Sequence, residues 1–68
     1  MKYAILTDKE KIILQLVARG YKSKEIAYDM GVTERTIKAY LTSIYSKLGV
    51  ESRSQAVAIA MERGIIQS

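Results

Sequence analysis

The sequence predicts an all-α fold, a single domain over residues 1–68 that is built from four helices. Apolar residues recur at spacings of three and four, which is the period of a helix with one buried face. Proline is absent, and hydrophobic residues make up 49% of the chain. A glycine follows each helical segment, at positions 20, 31, 49 and 64. Glycine at such positions commonly ends a helix.

The first helix is predicted to begin after Thr7, because Glu10 three residues later completes a capping box. Gly20 is predicted to end this helix. Its apolar face is formed by Ile13, Leu14, Leu16 and Val17. Ile12 widens that face beyond what a small domain usually needs, which indicates either an external contact or a looser core.

The next two helices are predicted to form a helix-turn-helix. Ser23 can cap the first of them, and the core-facing residues of that helix are Ile26, Ala27 and Met30. The small Ala27 suits a point where two helices cross closely, and Gly31 supplies the positive φ that a tight turn needs. Val32 and Ile37 are expected to fill the space between the two helices.

The third helix is predicted over residues 33–48, with Thr33 as its N-cap and Gly49 at its end. Its buried stripe consists of Ile37, Leu41, Ile44 and Leu48. The opposite side carries small or polar residues and two cations: Arg35, Lys38, Ala39, Thr42, Ser43 and Ser46. A helix side without bulk can enter a DNA major groove, and the alternative is an ordinary solvated face. The groove interpretation assigns base contacts to Arg35, Lys38, Ala39 and Thr42.

The fourth helix is predicted over residues 53–63, after a capping box formed by Ser52 and Gln55. Val57, Ala60 and Met61 are expected to form its buried stripe, and Ile59 is expected to face away from them. The flat outward patch predicts a contact between two copies of the chain. Its expected members are Gln55, Ala56, Ala58, Ile59, Glu62 and Arg63. The alternative is surface alanine chosen for helix propensity.

Composition favours a polyanionic partner and offers no catalytic chemistry. Eleven Lys and Arg residues against seven Asp and Glu residues give a net charge of +4 and a pI near 9.5. Histidine and cysteine are absent, so the usual general base, nucleophile and zinc ligands are missing. We therefore expect no enzyme, no metal and no cofactor. No apolar run approaches a membrane span and no signal-peptide core follows Met1, which predicts a cytoplasmic protein.

Five ordered segments resemble the DNA-binding domain of the LuxR/FixJ (NarL) family: LTDKE at 6–10, GYKSKEIA at 20–27, TIK at 36–38, IYSKL at 44–48 and SRSQAV at 52–57. The resemblance covers residues 6–64. It implies a bacterial transcription regulator that binds double-stranded DNA, with the third helix as recognition helix. It also implies a homodimer on paired half-sites that pairs through the fourth helix, and it makes RNA polymerase a candidate partner.

Carried over by position, the family's base-reading residues fall on Lys38, Ala39 and Thr42. Its DNA-backbone contacts fall on Lys22, Ser23, Lys24, Thr36, Tyr40 and Lys47. The chain departs from the family pattern at three of these positions. The family often has histidine at Tyr40, a second basic residue at Thr42 and a small hydroxyl residue at Lys22. Fewer cationic base contacts indicate that methyl contacts and DNA shape carry more of the specificity.

Two other functions compete with this interpretation. A sigma-factor region-four-like promoter reader shares the first helix and the turn, but a capped fourth helix with an outward patch is not expected there. A helical protein-interaction module without DNA binding would lack the basic residues around the turn, which this chain retains. Little chain precedes Leu6, so no receiver or ligand domain is expected within it. Both an output domain of a two-component response regulator and a freestanding regulator fit.

Overall fold

A computed structural model describes residues 5–67 of the chain, and four helices follow one another within them. They are α1 (Asp8–Ala18), α2 (Ser23–Met30), α3 (Glu34–Leu48) and α4 (Arg53–Glu62). The helices pack around one shared core, with α3 in contact with each of the other three. The predicted all-α, four-helix fold is confirmed.

Three of the four predicted N-caps are present. The Thr7 hydroxyl accepts the Glu10 N–H at 3.1 Å, and the Glu10 carboxylate accepts the Thr7 N–H at 2.8 Å. Thr33 and Ser52 cap α3 and α4 through the backbone N–H three residues later, at 3.2 Å in both helices. The Thr7–Glu10 capping box is complete, whereas at Ser52 only the serine half of the predicted box forms.

The predicted start of α2 was wrong by one residue. Ser23 is already helical, and Lys22 is the N-cap. The Glu25 carboxylate accepts the Lys22 N–H at 2.7 Å. This bond satisfies the N–H of the N-cap itself, and it does not replace the acceptor for the first-turn N–H groups that the serine hydroxyl was expected to supply. At α4 the Gln55 side chain likewise accepts from Glu51, at 3.0 Å, and not from the N-cap Ser52.

The turn between α2 and α3 is built on Gly31, which adopts a φ of 69°. Its N–H donates to the Tyr28 carbonyl at 3.3 Å, and the Val32 N–H donates to the Ala27 carbonyl at 3.0 Å. This paired arrangement is a Schellman motif. The prediction that Val32 fills the space between the helices was wrong: its side chain is 38% exposed. The left-handed glycine turns the chain away from the core there, and the buried Ala27 and Ile37 pack instead.

The core is centred on five fully buried aliphatic residues, Ile13, Leu14, Ile26, Ile37 and Ile44. From α4 it receives Ala56 and Ala60, which are also fully buried. The predicted buried stripe of α4 was therefore wrong in register, since Met61 is 37% exposed and Val57 is only half-buried. Alanines occur on both sides of this helix, so apolar periodicity does not identify its buried side.

The rotation of α4 is fixed by Arg53 as well as by packing. Its guanidinium donates to the Val17 carbonyl at 3.1 Å and to the Tyr21 carbonyl at 2.7 Å. Both carbonyls lie at or just beyond the C-terminal end of α1, where a cation also complements the helix dipole. Because of this rotation, the predicted outward orientation of Ala56 and Ile59 was wrong. Ala56 is buried and Ile59 packs partly against the core.

The sequence predicts loose ends at Met1 and Lys2 and in the last few residues, but residues 65–67 are packed against α1. Ile66 is 4% exposed. The Gln15 side chain donates to the Gln67 carbonyl at 2.8 Å and accepts the Gln67 N–H at 3.1 Å. The segment after α4 thus returns to α1 and closes the core. The same expectation for Met1 and Lys2 lies outside the described residues.

Candidate nucleic-acid interface

The outward side of α3 is exposed as the sequence predicted, except at Ser43, which is half-buried because its hydroxyl bonds to Glu10. Arg35, Lys38, Ala39 and Thr42 are all exposed, as is Ser46 one turn further on. On the other side Ile37, Ile44 and Leu48 are buried and Leu41 is half-buried. At 15 residues, the helix extends about 22 Å at the α-helical rise. A helix is about 10–12 Å across with its side chains, which fits the roughly 12 Å width of a DNA major groove.

The two polar residues near the middle of this side are held only by local contacts. The Thr42 hydroxyl donates to the Lys38 carbonyl at 3.0 Å, so the oxygen of this exposed residue can still accept a hydrogen bond. The Lys38 ammonium lies 3.4 Å from Glu34, and the two side chains are 67% and 47% exposed. Because an exposed pair of this kind contributes little, Lys38 can exchange Glu34 for a nucleic-acid acceptor at small cost.

The flank of α3 that faces α1 carries a second row, which we call the inner shoulder: Thr36, Tyr40, Ser43 and Lys47. All four residues are half-buried. An open groove of about 520 Å³ runs along this flank and is lined by Glu10, Arg35, Thr36, Ala39, Tyr40 and Ser43. The groove therefore brings together predicted base-reading residues and predicted backbone-contacting residues on one surface.

Three other predicted backbone contacts lie at the beginning of α2. Lys22 and Lys24 are exposed and Ser23 is half-buried. They do not line the groove beside α3. The backbone N–H groups of Ser23 and Lys24 belong to the first turn of α2, where the helix dipole favours an anion, whereas the Lys22 N–H already donates to Glu25.

Lys47 has an intramolecular partner that the sequence did not predict. Its ammonium lies 2.7 Å from the Glu10 carboxylate, with the Glu10 side chain only 5% exposed. The Ser43 hydroxyl donates to the other oxygen of Glu10 at 3.1 Å. Burial raises the pKa of the Glu10 carboxyl, but the Lys47, Thr7 and Ser43 hydrogen bonds and the Lys47 charge lower that pKa by more. Glu10 is therefore ionised across the neutral range.

Glu10 predicts an acid sensitivity of the fold. A carboxyl whose pKa is lowered by folding contributes stability above its unfolded pKa of about 4.3, and it loses that contribution as pH falls through the lower folded pKa. We expect the free energy of unfolding in urea, measured between about pH 2 and 7, to fall less steeply with acid in Glu10→Gln than in the parent. Parallel acid profiles for the two proteins would contradict this expectation.

The predicted dimer contacts do not share one face. Ala56 is buried and Ile59 is half-buried, whereas the exposed residues of α4 include Ser54, Gln55, Ala58, Met61 and Glu62. We call this set the outer face of α4. Sequence reasoning missed Ser54 and Met61 because it placed the buried stripe of this helix about one position too far along the chain.

Among the described residues no group of acidic side chains could hold a metal ion. No described helix is long and apolar enough to cross a membrane.

Comparison with known proteins identifies the class. The model of the luxR family of bacterial regulatory proteins matches residues 4–60. Transcriptional regulatory protein YdfI of Bacillus subtilis (strain 168) is 61% identical over 61 residues, which are 90% of this chain and 29% of that protein. Response regulator protein VraR of Staphylococcus aureus (strain Mu3 / ATCC 700698) is 43% identical over 65 residues, 96% of this chain and 31% of that protein.

A solved structure of the transcription factor GerE aligns with a TM-score of 0.88 at 33% identity, covering 94% of this chain and 96% of that chain. The four helices and the exposed α3 side are thus those of a helix-turn-helix DNA-binding domain of bacterial transcription regulators. The chain belongs to the LuxR family, and the family match does not support the sigma-factor alternative. It spans less than a third of the length of the two curated relatives above.

Proposed function

We propose that this chain binds double-stranded DNA in a sequence-specific manner, with α3 in the major groove. The observation that carries the proposal is the outward side of α3, where exposed Arg35, Lys38, Ala39 and Thr42 stand opposite a buried aliphatic stripe. Arg35 and Lys38 supply donors for guanine edges. Ala39 and Thr42 supply methyl groups that suit thymine, and Thr42 adds a hydroxyl.

Contacts to the DNA backbone would set the position of α3 and supply much of the affinity. We assign them to Lys22, Ser23 and Lys24 at the start of α2, and to Thr36 and Tyr40 on the inner shoulder. Support comes from the exposure of both lysines and from the position of Thr36 and Tyr40 along the groove. The sixth predicted residue, Lys47, is engaged by Glu10 and is treated separately below.

Two copies of the domain are proposed to pair on adjacent half-sites through the outer face of α4. Ala58 and Met61 form its apolar centre, and Gln55 and Glu62 lie beside them. One small module buries limited surface on DNA, so pairing would add affinity as a bivalent contact. The whole protein is proposed to be a cytoplasmic transcription regulator. It would be either the output part of a response regulator or a freestanding protein, with RNA polymerase as a candidate partner.

Selection of bound duplexes from a random pool tests the proposed function directly. We expect a common half-site to be enriched over successive rounds, often as two copies about one helical turn, roughly 10 base pairs, apart. If all duplexes were retained equally while the domain stayed folded, sequence-specific binding would be refuted. Enrichment of single half-sites alone would contradict the dimer and leave the α3 assignment standing.

Lys38→Ala is expected to relax sequence discrimination without changing the fold. One good base contact is worth about 1–3 kcal/mol of discrimination. To make such a contact, the exposed Lys38 side chain needs to break only its ion pair with Glu34. Competition between selected and scrambled duplexes measures the ratio of affinities, and Glu34→Gln serves as the control that removes the ion pair alone. An unchanged ratio in Lys38→Ala would show that this residue does not read bases.

A further inference from the structure

One carboxylate ties the first turn of α1 to the inner shoulder of α3. Glu10 is 3% exposed, and three donors surround it. One carboxylate oxygen accepts the Thr7 N–H at 2.8 Å and the Lys47 ammonium at 2.7 Å, and the other accepts the Ser43 hydroxyl at 3.1 Å. Lys47 also lies 3.4 Å from the Ile5 carbonyl. All the oxygen acceptors near this ammonium are therefore supplied from α1 and the residues just before it.

The two ion pairs of α3 differ in how easily DNA can break them. Lys38 and Glu34 are separated by 3.4 Å and both are well exposed, so water can solvate Glu34 once Lys38 leaves. Lys47 and Glu10 are separated by 2.7 Å, with side chains 27% and 5% exposed. A phosphate that captured Lys47 would leave a buried carboxylate without its cation, which is strongly unfavourable.

The charge of Glu10 also matters for the groove that it lines. An unpaired carboxylate there would repel the DNA backbone from Thr36 and Tyr40. The Glu10–Lys47 pair has no net charge, and the hydrogen bonds of Glu10 fix the distance between α1 and this flank of α3. The pair thus stabilises the surface that DNA would contact without adding attraction to it.

We propose that Glu10 is a positioning residue of the DNA-binding surface that holds Lys47 and Ser43 against α1 and withdraws the Lys47 charge from phosphate neutralisation. This inference rests on the proposed DNA binding. It replaces the phosphate contact that the family resemblance implies for Lys47 with an internal role. The exposed cations that remain for DNA are Lys22 and Lys24, which we assign to phosphates, and Arg35 and Lys38, which we assign to base edges.

The dependence of affinity on salt distinguishes the two roles. Fluorescence anisotropy with a labelled 20-base-pair duplex of random sequence would give the slope of log K against log salt for each variant. Each cation that neutralises a phosphate adds about 0.9 to the slope, or about 3.5-fold in affinity between 50 and 200 mM salt. The parent protein must itself show salt-dependent binding, and its failure to bind any duplex would refute the proposed function independently of the variants.

Four variants are compared with the parent at a temperature where circular dichroism shows each to be folded. Lys24→Gln, the exposed control, should lower the slope by about 0.9. The double variant Glu10→Gln/Lys47→Gln removes both charges of the pair and should keep the slope of the parent. Glu10→Gln alone releases Lys47 and should raise the slope by up to about 0.9. Lys47→Gln alone leaves the Glu10 carboxylate unpaired beside the groove, so it should bind DNA more weakly than the double variant does.

A double variant that loses as much slope as Lys24→Gln would overturn the proposal. A second measurement needs no substitution and so does not depend on the folding of any variant. Nuclear magnetic resonance of the lysine ammonium groups in the unmodified domain should show the Lys24 signal shifting as the duplex is added, with the Lys47 signal unchanged. A Lys47 ammonium signal that moved with that of Lys24 would also overturn it.

Discussion

Gly31→Val is expected to lower the free energy of unfolding by about 1–3 kcal/mol, because a β-branched residue strongly disfavours the left-handed region. Gly31 has a φ of 69°, and its turn is closed by hydrogen bonds from Gly31 and Val32 to α2. A Cβ at this position would meet nothing within 4 Å. The cost therefore comes from the backbone conformation and not from a clash with a neighbouring residue.

Thermal unfolding of the free domain measures this effect, since each kcal/mol corresponds to about 4–8 °C in Tm for a domain of this size. Gly31→Asn is the matched control, because asparagine tolerates the left-handed conformation better than other non-glycine residues. We expect it to lie between Gly31→Val and the parent. Equal melting temperatures for all three proteins would show that the turn relaxes to another conformation.

The parts of the fold that the sequence predicted well are those specified by local chemistry. The Thr7–Glu10 capping box needs residues three apart, and the stripe of α3 is apolar on one side and polar on the other. Both patterns are complete within one helix. The exposed positions of Arg35, Lys38, Ala39 and Thr42 followed correctly, because the aliphatic stripe fixes the rotation of α3.

The parts that the sequence did not predict depend on contacts between distant residues. Lys47 and Glu10 are 37 residues apart, and Gln15 and Gln67 are 52 residues apart. From the sequence alone, Lys47 is interpreted as a phosphate contact because it lies on a helix with other cations. The structure shows that the buried Glu10 carboxylate lies beside it. One feature of the sequence could have indicated this contact. A capping-box glutamate has a second carboxylate oxygen, which can accept a hydrogen bond from a residue of a neighbouring helix.

Helix α4 shows why a weakly amphipathic helix is hard to orient. It has alanine at positions 56, 58 and 60. Alanine occurs both in close contacts between helices and on exposed helix surfaces, so its position does not identify the buried side. The contacts that decide its rotation come from α1 and α3, and Arg53 reaches back to carbonyls at the end of α1. The proposed dimer surface therefore keeps Ala58, loses Ala56 and Ile59, and gains Met61.

The residues that attract DNA differ from those that hold the helices of the interface in position. The exposed cations at the start of α2 and on the outward side of α3 can approach phosphates or bases without breaking a buried contact. The Glu10–Lys47 pair, by contrast, holds α1 and α3 in register from within. Salt weakens the attraction between the exposed cations and DNA. The half-buried Glu10–Lys47 pair is screened less by salt. Raising salt should thus release DNA well before it loosens the domain.

The largest effect is expected from Ala56→Glu, with Ala58→Glu as its matched control two positions along the same helix. Ala56 is fully buried, and an unpaired buried charge costs about 4 kcal/mol or more. A domain of this length is stable by roughly 3–10 kcal/mol in total, so Ala56→Glu should unfold much of the protein. Ala58 is exposed on the outer face of α4, and Ala58→Glu should melt close to the parent.

The same pair of variants tests the proposed dimer. Two glutamates facing each other across a two-fold axis repel, so Ala58→Glu should bind a duplex with one selected half-site normally and lose the cooperative gain on a duplex with two. Urea unfolding and titration of the two duplexes provide the measurements. Stability kept in both variants would mean that α4 is rotated toward the original sequence prediction, in which both alanines face outward. Full cooperativity in a folded Ala58→Glu protein would place the contact between copies on another surface of the domain.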